Sequence, residues 1–183
     1  FSAGLAANGL KPVCAIYSTF MQRSLDNIIH DIALQNLPVI MALDRSGIVG
    51  EDGATHHGAF DMSYLKYIPN LTIMSPSDET ELQDMLNTAV TLKGPSVIRY
   101  PRGIGKNQVD FNRNFQILDI GKSRMEKYGE DLCLVAIGNT VNACLDAAKK
   151  LEDKNIKVSV LNMRFLKPFD EKEIKKILTY TKK

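Results

Sequence analysis

DRSGIVGEDGATHHGAFDMSYLKY, residues 44–67, is the stretch from which the rest of the chain can be read. It follows the apolar run 37–43, which has the composition of a buried strand, and it has none of a strand's alternation itself. Gly47, Gly50 and Gly53 open backbone paths closed to other residues. Between and around them stand Arg45, Glu51, Asp52, His56 and His57. Charge and imidazole at this density, just past the C-terminal end of a buried strand, are what a site-bearing loop of an open α/β sheet looks like. A solvated turn of the same composition is the alternative until other segments are read with it.

Upstream, residues 2–8 are small and helix-compatible, and Gly9 is placed to stop the helix. Residues 12–17 form a short apolar run, consistent with a buried parallel strand. Leu25, Ile28, Ile29, Ile32 and Ala33 recur at helical spacing and predict a core-facing helix. Asp26 and His30, four apart, read as a local surface pair. Downstream, 60–67 predicts a short helix ended by Pro69, and 71–74 a third strand. Asp78 with Glu81 has capping-box spacing, ahead of a helix whose stripe is Leu82, Met85, Leu86, Ala89 and Val90. Residues 96–100 give a fourth strand, with Arg99 inside it as a paired or snorkelling side chain.

Strands alternating with helices at this spacing predict a parallel α/β sheet flanked by helices on both faces. Right-handed crossovers put the strand C-termini on one edge. Segments 17–23, 44–57 and 99–102 all lie at or after strand ends, so three stretches deliver polar groups to the same edge. That convergence favours a site over a solvated loop.

Residues 1–103 therefore read as one domain, and 104–114, polar and without periodicity, as a linker. Residues 115–183 read as part of a second α/β domain. Within it, 115–120 and 122–127 predict a small hairpin about Gly121. Residues 131–137 and 156–161 predict strands, with a helix through Val141, Cys144, Leu145, Ala148 and Leu151 between them. Asp170 and Glu173 repeat the capping-box spacing before a last helix. The opening FSAGLAANGL and the unmatched last helix give the expectation of a piece of a longer protein.

The net charge of +2 on 183 residues gives no footprint for nucleic acid or an anionic membrane surface. No apolar run approaches the ~20 residues of a bilayer-spanning helix. Cys14, Cys133 and Cys144 are odd in number and lack CxxC spacing, so reduced thiols and a cytoplasmic location are expected.

YSTFMQRSLDNIIHD, the loop DRSGIVGEDGATHHGAFDMSYL, IMSPSDETEL and GPSVIRYPRG together resemble the 1-deoxy-D-xylulose-5-phosphate synthases, transketolase-like thiamine-diphosphate enzymes. LNMRFLKPFD resembles the start of that family's C-terminal domain. The resemblance implies a transketolase-type pyrimidine-binding domain followed by part of the third domain. It implies a homodimeric transferase that condenses pyruvate, with decarboxylation, and D-glyceraldehyde 3-phosphate in non-mevalonate isoprenoid biosynthesis. Thiamine diphosphate and Mg2+ are the implied cofactors, with the diphosphate and metal ligands outside this chain. The family's activating glutamate would lie upstream of Phe1, so the isolated chain is expected to be inactive.

Carried over residue by residue, the resemblance makes His56 the proton donor to the aldehyde oxygen, and Asp52 its active-site aspartate. The spacing of the two can bring them together. Phe20 is the residue stacking on the cofactor's pyrimidine, and Tyr17, Arg23, Arg45 and Arg102 are the substrate-binding set. Arginine's planar fork suits phosphate oxygens. His57 is expected to be structural. Transketolase itself, a 2-oxoacid dehydrogenase β subunit, or a non-catalytic module of the same fold remain alternatives.

Overall fold

In the computed structural model, which describes residues 1–105 and 109–181, the chain begins with α1 (Ser2–Ala7) and β1 (Val13–Tyr17). A helical path then runs through α2 (Ser18–Met21), a 3-10 turn, α3 (Leu25–Asn27) and a π-helical segment to Ala33. It buries Ile28, Ile32 and Ala33, while Ile29 turns partly to solvent. The helix expected through residues 25–33 is thus an α turn that runs into a π-helical segment, with one buried face. β2 (Ile40–Asp44), α4 (Asp61–Leu65), β3 (Thr72–Met74), α5 (Glu79–Thr91) and β4 (Ser96–Arg99) complete the first unit.

β1, β2, β4 and β3 are parallel neighbours in that order. Tyr17 lies opposite Asp44, and Leu43 opposite Arg99, so the three polar segments leave the sheet level with one another. Successive strand residues serve opposite faces. Met41, Leu43, Ile73 and Val97 pack with Met21, Ile28 and Leu65 on one side. Ile40, Met74 and Ile98 pack with Met85 and Ala89 of α5 on the other. Each fully buried side chain of this size contributes about 1.5–3 kcal/mol, and both faces are covered as the apolar strands require.

The second unit holds β5 (Arg124–Lys127), β6 (Leu132–Ala136), α6 (Thr140–Glu152), β7 (Val158–Asn162), β8 (Phe165–Lys167) and α7 (Glu171–Tyr180). β6 and β7 are parallel and joined through α6, and β5 pairs antiparallel with β7. The predicted hairpin about Gly121 is therefore corrected: 122–127 supplies β5, but its partner is β7. Residues 115–118 instead lie along α5, where Asn87 donates to the Phe115 and Gln116 carbonyls and Leu118 N–H donates to Thr88 Oγ1 at 2.8 Å. This cover also corrects the stripe of α5. Asp84 and Thr88 are buried beneath it, whereas Leu86 and Val90 are 41% and 48% exposed.

β8 does not join its own unit's sheet. It pairs antiparallel with β3 of the first, Met74 opposite Phe165, and Phe165 is fully buried in that core. Asp78 and Asp170 cap α5 and α7 by accepting from the Glu81 and Glu173 N–H groups. Only half of each capping box forms, because the two glutamates bond elsewhere. The three cysteines are unpaired thiols. Among the described residues, no helix is long and apolar enough to cross a membrane.

Candidate active site

The loop after β2 closes on itself. Gly47 N–H donates to the Gly58 carbonyl at 3.0 Å, and Gly58 N–H returns to Gly47 at 2.8 Å. Gly47 takes φ +87°, a left-handed conformation suited to glycine. A Cβ at Gly58 would meet Ser18 Oγ and the Arg45 carbonyl at 2.5 Å, so no other residue fits there without displacing them. Two 3-10 turns, Gly50–Asp52 and Ala54–His56, fill the loop between these points.

Asp52 points back to the strand ends, its side chain 17% exposed. One oxygen meets Arg45 Nη1, and the other lies 2.9 Å from Arg102 Nη1. Arg45, at φ +58°, lays its guanidinium 4.2 Å from the Tyr17 ring centroid and donates to the Tyr17 hydroxyl at 3.1 Å. The Tyr17 hydrogen bond and the Asp52 charge, outweighing burial, hold its proton above the ordinary arginine value. Tyr17 stacks on Phe20 at 5.6 Å and 17°, and the Arg23 guanidinium stands 5.9 Å from Phe20 at the outer end of the stack. His56 meets Phe20 edge-on at 5.4 Å and lies 6.4 Å from Tyr17.

Tyr17, Phe20, Arg45, Asp52, His56 and Arg102 thus form one contiguous group on a single sheet edge, with Arg23 at its rim. Asp52 and His56 do not pair. Asp52 gives both oxygens to arginines, whereas His56 Nδ1 lies 2.9 Å from Thr55 Oγ1. The expectation that their spacing brings them together is corrected by the stronger claim of two cations on the carboxylate. His57 accepts the Val49 N–H on Nδ1 at 3.1 Å, and so fixes the loop's backbone.

Sequence reasoning missed Ser18 and Asp61 and left Arg99 without a named partner. Asp61, 1% exposed, accepts from Ser18 Oγ and Arg99 Nε, both at 3.0 Å. The available signal was Arg99 itself, a cation in an apolar strand that burial obliges to find an anion. Beyond Arg102 a cleft of about 700 Å3 lies between the two units, lined among others by Asp44, Tyr100, Arg102, Glu79 and Asn142. Burial and the nearby Asp44 charge push the Tyr100 hydroxyl upward.

This edge has flat aromatic surface, an imidazole beside it and three arginines, the equipment for holding a planar ring next to an anionic substrate. Residues 1–107 match the transketolase pyrimidine-binding domain, and residues 121–183 the transketolase C-terminal domain. The chain is 56% identical over 171 residues to a 1-deoxy-D-xylulose-5-phosphate synthase of Chlorobium phaeovibrioides, covering 93% of this chain and 27% of that protein. It is 49% identical to the synthase of the same name in Dictyoglomus thermophilum, covering 98% of this chain and 29% of that one. The chain therefore spans under a third of the length of these curated relatives. Among solved structures it resembles a split-gene transketolase described as an inactive β4 tetramer, with a TM-score of 0.86 at 26% identity over 98% of this chain and 58% of that one. The Campylobacter jejuni transketolase shares the fold, with a TM-score of 0.79 at 21% identity over 97% and 28% of the two chains. With its pyrimidine-binding domain matched over more than half its length, the chain belongs to the transketolase family.

Proposed function

We propose that these residues belong to a thiamine-diphosphate-dependent 1-deoxy-D-xylulose-5-phosphate synthase, which condenses pyruvate, with loss of carbon dioxide, and D-glyceraldehyde 3-phosphate. The observation that carries this reading is the joining of Tyr17, Phe20, Arg45, Asp52, His56 and Arg102 at one edge. Relatives at 49–56% identity named as this synthase support it over transketolase, to which the likeness is 26% or less. In this reading 1–103 is the pyrimidine-binding domain, 104–114 the linker and 115–183 part of the C-terminal domain. The activity is assigned to a protein of the relatives' length, cytoplasmic and homodimeric, and the 183 residues alone are inactive.

Phe20 fits a flat heteroaromatic ring, being 39% exposed with its other neighbours already stacked. Bound there, thiamine diphosphate supplies the carbanion chemistry that no side chain provides. Mg2+ and the diphosphate are assigned to residues outside this chain. His56 faces the acceptor aldehyde. Thr55 Oγ1 occupies Nδ1, which leaves Nε2 for the acceptor; the imidazolium form can give its Nε2 proton to the aldehyde oxygen and is left as neutral imidazole. Asp52 holds the two arginines in place. Arg102, 43% exposed, keeps part of its fork open for the acceptor phosphate, with Arg23 at the rim as a second cation. Arg45 and Tyr17 are largely spent on each other and on Asp52, so they shape the phosphate subsite from behind.

The test is product formation by a full-length protein carrying this chain, supplied with pyruvate, D-glyceraldehyde 3-phosphate, thiamine diphosphate and Mg2+. Accumulation of 1-deoxy-D-xylulose 5-phosphate is the expected result. A protein that binds the cofactor but transfers a two-carbon ketol unit between sugar phosphates instead would make the transketolase reading the right one.

A further inference from the structure

The three segments that carry the site have their roots in one buried triad. Ser18 directly follows Tyr17, Asp61 directly follows the loop 44–60, and Arg99 precedes Arg102 by three residues. Ser18 and Asp61 are 1% exposed and Arg99 is 9% exposed. Asp61 Oδ2 accepts from Ser18 Oγ and from Arg99 Nε, each at 3.0 Å, while Asp61 Oδ1 accepts from the Met62 N–H at 2.7 Å. The returning loop sits directly on this triad, since Gly58 leaves no room for a Cβ against Ser18 Oγ. Ser75 at the end of β3 extends it, donating to the Arg99 carbonyl at 3.2 Å. Beside it the Tyr64 hydroxyl is buried without a hydrogen-bond partner among the described residues, its pKa pushed up to about 12 by burial and then by Asp61.

An ion pair in this position is not explained by stability, because apolar side chains of equal volume commonly stabilise a core as well or better. What an apolar contact lacks is direction. A carboxylate oxygen shared between a hydroxyl and a guanidinium holds three backbone segments at fixed distances: slippage of the Asp61 or Arg99 segment leaves a buried charge unpaired, and slippage of the Ser18 segment takes a donor from the carboxylate.

We propose that Asp61 and Arg99, with Ser18, are positioning residues that set the glycine loop and Arg102 relative to Tyr17. The proposal rests on the functional reading above, in which Arg102 meets the acceptor phosphate and the loop carries Asp52 and His56. It assigns no substrate contact to the triad itself.

Two measurements on Asp61→Asn and Ser18→Ala test it. In the 183-residue chain, hydrogen exchange at the Gly47 and Gly58 amides reads the loop closure directly and needs no activity. In a full-length protein carrying the chain, the ratio of kcat/KM for D-glyceraldehyde 3-phosphate to that for D-glyceraldehyde reads the placement of Arg102. This ratio is independent of the fraction of protein that is folded and active, so a merely structural defect leaves it where it was. Misplacement by an ångström can cost about a hundredfold in rate. The ratio is expected to fall roughly tenfold in Asp61→Asn and about threefold in Ser18→Ala, with faster exchange at both glycines. Should Asp61→Asn fail to fold, Ser18→Ala keeps the ion pair and still tests the anchor. Unchanged exchange in the folded variants overturns the proposal, and so does faster exchange with an unchanged acceptor ratio. A full-length protein without substitutions that makes no product overturns the functional reading and the positioning role with it, while altered exchange still reports the triad's hold on the loop.

Discussion

Glu81 and Asp52 are both carboxylates gripped by arginines, one between the two units and one at the sheet edge. Glu81 is 2% exposed and has no capacity left. It accepts from Ser77 N–H and Oγ at 2.8 Å, from Asn162 Nδ2 at 3.0 Å and from Arg164 Nε at 2.7 Å, with Arg124 at 3.8 Å. Asp52 has two arginines, one of them 43% exposed, and an aromatic stack open to solvent beside it. Each cluster uses an arginine that leaves its strand in the left-handed region, Arg45 at φ +58° and Arg164 at φ +56°. The chemistry is shared, and residual exposure separates them. A saturated carboxylate ties elements together, whereas an arginine with part of its fork unused can still accept a ligand.

The largest effect should come from emptying the saturated cluster. Glu81→Ala leaves the largely buried Arg164 without its carboxylate partner and is expected to cost about 3–5 kcal/mol of stability in the 183-residue chain. Urea unfolding measures it, and a loss below ~1 kcal/mol would show that water or side-chain rearrangement replaces the carboxylate and that the two clusters differ less than their geometry suggests.

At the exposed cluster the expected loss is functional. If Arg102 grips the acceptor phosphate, Arg102→Ala should remove ~1.5–3 kcal/mol of charge-assisted hydrogen bonding. That is roughly a ten- to hundredfold loss in kcat/KM for D-glyceraldehyde 3-phosphate in a full-length protein. The defect should shrink with D-glyceraldehyde, which has no phosphate to lose, and stability should barely change because Asp52 keeps Arg45. Equal impairment with both acceptors would assign Arg102 to architecture.

These two clusters were not equally legible. The strands, the covered faces and the polar edge followed from apolar runs and their spacing, because those patterns are local. Arg45, Asp52 and His56 could be read because one loop holds all three. Glu81 looked like half of a capping box, and nothing nearby announced Arg164, which lies 83 residues away. β8 was hidden for the same reason: Phe165–Lys167 pairs with β3 across about half of the chain. Leu86 and Val90 satisfied helical periodicity, but Arg113 and the segment after it cover the Asp84 side of α5, with Arg113 Nη2 bonded to Asp84 at 2.7 Å. Periodicity shows that a helix has an apolar face, and it is silent on a polar face that another segment covers.

Acid should sharpen the contrast. Burial alone would push the Glu81 carboxyl up, but the Ser77 N–H, the Asn162 amide, the Ser77 hydroxyl and the Arg124 charge outweigh it and hold it below the ordinary carboxylate value. The unfolded chain therefore binds a proton on Glu81 at a higher pH than the folded chain does, and stability must rise with pH across that interval. The contribution is complete above the unfolded value, about 4.3. It is lost as pH falls through the lower folded value. Glu81→Gln removes this one proton, so its stability profile below about pH 4.5 should be flatter by up to ~1.4 kcal/mol per pH unit. Parallel profiles for the two proteins would mean that another carboxylate, Asp170 being the next candidate, governs the acid limb.

The smallest effect belongs to the pair that was easiest to read. Asp26 and His30 were paired from i,i+4 spacing alone, and their contact is present at 2.9 Å, with side chains 82% and 64% exposed. Water solvates both groups well whether or not they touch, and holding two mobile side chains together costs entropy. A double-mutant cycle with Asp26→Asn and His30→Gln should therefore give a coupling of no more than about 0.5 kcal/mol. It should be smaller still at 1 M salt, where screening acts within about 3 Å. The same cycle run on Glu81 and Arg164 should give several-fold more and resist salt better, because their side chains are only 2% and 15% exposed. Proximity in sequence makes a contact easy to infer, whereas exclusion from water makes it worth having. A coupling at Asp26–His30 as large as that at Glu81–Arg164 would refute the claim that exposure, and not the identity of the pair, sets the scale.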